Sequence, residues 1–230
     1  MLDCGFGLSE CAARLARLGL APEQLDAIIL THEHGDHAGG VSRLAQKYNL
    51  PVWLTRGTFR ALGEFCPAAL IREFCVDAPF AIGALCINPF PVPHDAREPA
   101  QFVLTDGALR LGVLTDAGSS TPHIEVALSG CHALVLECNH DVELLAQSNY
   151  PSSLKARVGG RFGHLDNSAA AELLRRVACG SLQHLVAAHL SQQNNTPELA
   201  RAALSRSIGC DPEWVMIADQ SEGLSWREIT

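Results

Sequence analysis

The stretch Ala27-Ile28-Ile29-Leu30-Thr31-His32-Glu33-His34-Gly35-Asp36-His37 joins an apolar, β-branched run to three histidines and a carboxylate. The apolar half reads as a buried strand, so the histidines fall where the chain leaves a sheet and side chains can converge. His32 and His34, two residues apart in extended chain, project to one side and can share a cation. Asp36 and His37 lie beyond a turn, placed for a second one. Imidazole and carboxylate without thiolate suit zinc, and also manganese or iron.

Two cations need more donors than this segment holds. His94, Asp116 and His189 each follow a strand-like run, over 85–93, 109–115 and 182–188, as His32 follows its own. The recurrence of one placement points to a common site. His123, His132 and His184 lack it and read as structural or solvated.

Further motifs are Asp3-Cys4-Gly5-Phe6-Gly7, Leu114-Thr115-Asp116-Ala117-Gly118, Glu137-Cys138-Asn139-His140-Asp141, Tyr150-Pro151 with Leu154-Lys155-Ala156-Arg157-Val158, Gly163-His164-Leu165-Asp166-Asn167, and His189-Leu190-Ser191-Gln192-Gln193-Asn194-Asn195. With these the chain resembles, over nearly its whole length, the metallo-β-lactamase fold superfamily of binuclear metal hydrolases. Within it the chain looks most like the YycJ/WalJ/VicX group. The resemblance implies an α/β (α+β) chain folded as a four-layer αββα sandwich with two divalent ions, zinc or manganese, at one edge. It puts His32, His34 and His94 on one ion, Asp36, His37 and His189 on the other, and Asp116 between them. The group is associated with 5′ to 3′ exonuclease activity on double-stranded DNA, so the implied partner is DNA or another phosphodiester.

Members of the group carry a strand pair, joined by a Ser/Gly/Asn-rich turn, before the segment matching Leu2-Asp3-Cys4-Gly5. Here Met1 stands inside what would be the next strand. The expectation is a fold without the usual N-terminal strand pair, or a start at an internal methionine. Loss of the pair would uncover a sheet edge on which a homo-oligomer could form. Asp166 also departs from the group, standing where Ser is expected.

The chemistry can be argued beside the resemblance. Two divalent ions about 3.5–4 Å apart lower the pKa of a shared water and clamp the oxygens of an in-line displacement, making a bridging hydroxide the expected nucleophile. Asp36 and Asp116 set two negative charges against four positive ones, and the surplus favours an anionic substrate. Asp36 counts among the catalytic residues for this reason as well as among the ligands. His164 is the expected general acid, before a helix that Asp166 or Asn167 can cap, where a phosphate would also meet a helix N-terminus. His140 would touch phosphate, orient a ligand or close a turn, and Asn139 beside it is a candidate phosphate contact. Lys155, Arg157 and Arg161, in the approach to His164, form a local basic cluster for backbone phosphates. Three rivals remain: a cyclic or ribosyl phosphodiesterase, a thioester hydrolase similar to glyoxalase II, and a non-catalytic metal-binding module.

Composition sets limits. With 230 residues, 47% hydrophobic and 18% charged, and no linker or low-complexity tract, the chain reads as a single domain over 1–230. No apolar run is long enough for a membrane-spanning helix, and no signal peptide pattern opens the chain. Nine cysteines without a C-x-x-C pair read as reduced core residues of a cytoplasmic protein. A net charge of −8 argues against broad nonspecific nucleic-acid binding, although the local field at a metal cleft matters more. Helices are expected over 9–19, 39–48, 56–64, 168–179 and 197–208. Strands are expected over 26–31, 51–54, 84–92, 101–105, 109–115, 132–138, 183–188 and 214–218.

Overall fold

The computed structural model describes residues 1–230. The chain divides into two compact units, the first comprising Met1–Pro91 with Ala96–Ala100, the second Val92–Asp95 with Gln101–Thr230.

The first unit contains α1 (Leu8–Arg17), β1 (Ile28–Ile29), α2 (Gly35–Ala38), α3 (Val41–Tyr48), β2 (Val52–Thr55), α4 (Arg56–Leu62), β3 (Ile71–Phe74), β4 (Phe80–Ile82) and β5 (Leu85–Pro91). Strands β1, β2 and β3 form a parallel sheet, Ile28 opposite Val52 and Val52 opposite Ile71. Helices supply both crossovers, as parallel pairing demands. Ile28, Leu30, Val41, Leu44, Val52 and Leu54 form the buried core between sheet and helices. The strand expected over 26–31 is regular over two residues only, because its other edge pairs briefly. Leu2 makes an isolated parallel bridge to Ile29, and the Ile29 and Asp3 N–H groups close it at 2.8 Å each. β4 and β5 form a hairpin turning at Gly83, whose φ of 58° suits glycine.

The second unit contains β6 (Ala100–Thr105), β7 (Arg110–Leu114), α5 (Pro122–Leu128), β8 (Ala133–Glu137), α6 (Val142–Gln147), α7 (Ser152–Val158), α8 (Asn167–Val177), β9 (His184–Ala188), α9 (Pro197–Ile208) and β10 (Val215–Ile217). Its strands run in the order β10-β9-β8-β7-β6, parallel except where β6 meets β7. The register sets Leu114, Leu136 and Ala187 side by side, so three neighbouring parallel strands end at one edge. That edge is where loops after parallel strands build sites. Phe102, Leu114, Leu134, Leu136, Leu173 and Leu185 are buried beneath it.

Helix α9 has the expected bounds, with the Thr196 hydroxyl accepting the Leu199 N–H and Pro197 in its first turn. Short elements β3, β4, α5, α6 and α7 were not legible, being three to seven residues long with weak periodicity. The cysteines are all free, but only Cys4, Cys11, Cys131 and Cys138 are buried and Cys75 and Cys179 are exposed, which corrects the reading of all nine as core residues. No helix is long and apolar enough to cross a membrane.

Candidate metal centre

In the first unit the chain leaves β1 through Thr31 and His32, reaches His34, and then coils into α2, which carries Asp36 and His37. The rings of His32 and His34 lie 4.5 Å apart, those of His32 and His37 4.2 Å apart, and His37 Nε2 is 3.6 Å from an Asp36 carboxylate oxygen. Asp3 organises this group. Its Oδ1 accepts the Thr31 N–H at 2.8 Å, while its Oδ2 takes the Thr31 hydroxyl at 2.9 Å and His37 Nδ1 at 2.8 Å. The Thr31 hydroxyl in turn lies 2.9 Å from His32 Nδ1. Gly5 permits the approach, since a Cβ there would fall 1.7 Å from the Asp36 carbonyl oxygen.

In the second unit Asp116 follows β7, Glu137 ends β8 and His189 follows β9. Asp116, Glu137, His164 and His189 offer ligand atoms all within 4.8 Å of one another. Asp116 Oδ1 lies 3.5 Å from His164 Nδ1, 3.6 Å from His189 Nδ1 and 3.9 Å from His94 Nε2. Asp116 and His189 both sit in the left-handed region, at φ of 52° and 57°. Non-glycine residues held there cluster at functional sites.

Glu137 is the hub. Fully buried, it bonds Nδ1 of both His164 and His189 through Oε1 at 2.9 Å each, and its Oε2 accepts the N–H groups of Ala117 at 2.9 Å and Leu165 at 3.2 Å. Burial alone would push its carboxyl up, but the two imidazole bonds and their charges hold it below the usual carboxylate range. His94 Nδ1 is 3.0 Å from the Gly163 carbonyl, and burial pushes its imidazole down against the pull of Asp116.

These rings fit a cation. His32, His37, His94 and His189 each direct Nδ1 at a protein acceptor, which selects the tautomer whose lone pair is on Nε2. That is how metal-ligating histidines are oriented, with the far nitrogen held by carboxylate, hydroxyl or carbonyl.

Asp3 and Glu137 stand inside quoted motifs, but their roles were missed. A carboxylate closing the apolar run Ala133-Leu134-Val135-Leu136-Glu137 was the available signal for Glu137, because a buried charge needs partners. No comparable signal marks Asp3, whose partners lie 28 and 34 residues away.

Other expectations change. Lys155 and Arg157 are on α7, and their charges are engaged within the protein: the Lys155 ammonium donates to the Ala146 carbonyl at 2.6 Å and Arg157 pairs with Asp95. Arg161 is exposed, its guanidinium 4.9 Å from the Phe162 ring centroid. Asn139 is buried and donates to the His189 carbonyl at 3.0 Å, holding that strained turn. His140 is only 2% exposed, its carbonyl accepting the Asn167 N–H, and burial keeps its imidazole below the ordinary range. Asp166 caps α8 by accepting the N–H groups of Ser168 and Ala169, so that helix terminus is already occupied by an anion. His132 accepts the Arg110 N–H, His184 donates to the Glu228 carbonyl and His123 is exposed on α5.

Parallel strands ending in histidines and carboxylates, with the imidazoles of His32, His37, His94, His164 and His189 braced at Nδ1, define a metal-dependent hydrolase of the metallo-β-lactamase class. The beta-lactamase superfamily domain matches residues 1–190, and the chain belongs to that superfamily. It is 33% identical over 211 residues to Exodeoxyribonuclease YycJ of Bacillus anthracis, covering 90% of this chain and 80% of that protein. It is 30% identical over 213 residues to Exodeoxyribonuclease WalJ of Streptococcus pneumoniae, covering 90% and 79%. Among solved structures, the metallo-beta-lactamase fold protein YhfI from Bacillus subtilis superposes with a TM-score of 0.72 at 19% identity, over 98% of this chain and 85% of the other, a likeness of fold.

Proposed function

We propose that this enzyme is a metal-dependent phosphodiesterase acting on DNA, as a 5′ to 3′ exonuclease of double strands. One observation carries the chemistry: His164 stands beside Asp116 with Nδ1 held by buried Glu137, which supports a role for this imidazole as the proton donor. The names of the two relatives that match along 90% of the chain support the substrate.

In this reading the chain is a single domain over 1–230 that takes two divalent ions. His32, His34 and His94 would hold one, Asp36, His37 and His189 the other, with Asp116 a ligand shared by both. Such ions, when bound, polarise the phosphoryl group and activate water at neutral pH. The chain's own residues do the rest. Asp3 and Glu137 fix the imidazole tautomers, so ligand nitrogens need no reorganisation. The Glu137 carboxylate bonds His164 Nδ1, which leaves Nε2 as the nitrogen that protonates the leaving alkoxide. Arg161, three residues before His164, supplies positive charge for a substrate phosphate, and Asn139 and His140 position the His189 and Asn167 turns.

The test is hydrolysis of a 5′-end-labelled linear duplex by zinc- or manganese-loaded protein, with Asp116→Ala as control. Stepwise release from the 5′ end by wild type alone supports the reading. Cleavage of a small phosphodiester without release from DNA would move the substrate to a small molecule. Cleavage of neither would remove phosphodiester chemistry.

A further inference from the structure

Phe162 is 49% exposed two residues before His164, although the backbone around it is tied down. Its carbonyl accepts the Asp95 N–H at 3.0 Å, the Arg161 carbonyl accepts the Ser119 hydroxyl at 3.2 Å, and the Gly163 carbonyl holds His94 Nδ1. The Gly163 and His164 N–H groups close on Gly160 and Val158 at 2.8 and 2.9 Å. Gly118 lets the segment pass so closely that a Cβ there would lie 2.4 Å from the Gly163 nitrogen. A single exposed phenylalanine is ordinary on a protein surface. This one is mounted on the same four residues that brace His94 and carry His164, and the Arg161 guanidinium packs against its ring.

The charge distribution says what such a ring is for. The chain carries a net charge of −8, and two of the three local cations, Lys155 and Arg157, are engaged by Ala146 and Asp95. A polyanion therefore finds no broad basic track here, and grip on a nucleic acid must come partly from elsewhere. A nucleobase offers a π-face next to its phosphate, and stacking on an aromatic ring is tolerant of sequence.

Resting on the phosphodiesterase reading, we infer that Phe162, backed by Arg161, is a stacking platform for a nucleobase of the strand being hydrolysed, beside the scissile phosphodiester. It sets affinity for nucleic acid over small diesters and takes no part in proton transfer.

The experiment compares wild type, Phe162→Ala and Phe162→Trp on a 5′-labelled duplex and on methyl 4-nitrophenyl phosphate, which has no base. The expected result for Phe162→Ala is a rise of about 5- to 150-fold in the ratio of duplex KM to small-diester KM, the loss of one base stack, with Trp restoring it. Wild type should show a similar rise on duplexes made abasic beside the cleaved bond, and Phe162→Ala no further rise on them. An unchanged ratio, or losses that add between abasic substrate and variant, overturns the inference. Wild type that cleaves the small diester but no duplex refutes the nucleic-acid reading and this inference with it. Activity on neither substrate refutes the phosphodiesterase reading itself.

Discussion

His164 and His189 share one carboxylate oxygen, yet the proposed reading gives them different tasks, and substitution separates the two. His164→Ala removes one of four groups bonded to Glu137, leaving His189 Nδ1 and the Ala117 and Leu165 N–H groups in place. The ligand set therefore persists. Metal content by elemental analysis should stay at the wild-type value, while turnover on a duplex falls about 10²- to 10⁴-fold, the usual worth of a positioned acid. A 4-nitrophenyl diester, whose leaving group departs without a proton, should lose far less. Full activity of His164→Ala on the duplex would refute its role as acid.

Helix α8 shows how an element ties motif to motif. Asn167, its first residue, exchanges amide bonds of 2.8 and 2.9 Å with buried Asn195, and the Asn195 amide also reaches the Cys138 carbonyl at 2.7 Å. That pair links the turn carrying His164 to the loop after His189, explaining why asparagine stands in both motifs. Asn195→Ala strands the Asn167 amide in a dry interior, and urea titration should show a loss of about 1–3 kcal/mol. Farther along α8, Glu172 bonds Arg175 and Arg176, which lower its carboxyl to about 2. Since the folded value lies below the unfolded one, its contribution is fully present above about pH 4.3 and is lost as pH falls through about 2. NMR titration should place its midpoint near the lower value, moving up with added salt, because the group is exposed.

For the molecule as a whole, the proposed ligand set makes metal a folding ligand. The ligand group of the second unit has like-charged and desolvated members, Asp116 beside Glu137 and the buried His94, whose disposition a cation relieves. Metal at 100 times its Kd should add about 2.7 kcal/mol, raising Tm by several degrees, and chelation should reverse it. Calorimetry of the His37→Ala and Asp116→Ala proteins supplies the stronger test. The proposed ligand set predicts that either change blunts the metal-induced rise in Tm. If one variant keeps the wild-type rise, the residue it replaces is not a ligand.

What the amino-acid order determined by itself is local. Apolar runs ending in histidine or aspartate announced strands closing at a site, and Thr196-Pro197 announced α9, because burial and capping depend on neighbours in the chain. The same locality made His32, His34, Asp36 and His37 legible as one group, which the structure draws together around β1 and α2. Tertiary structure alone decided what stands behind them. Asp3 reaches His37 across 34 residues and Glu137 reaches His189 across 52, and no periodicity encodes such pairings. It also decided that Lys155 and Arg157 spend their charge on Ala146 and Asp95, and that Phe162 stays in the open. A charge or a ring acquires its role from what packs against it, and in this fold those partners come from distant strand ends brought to one edge by parallel pairing.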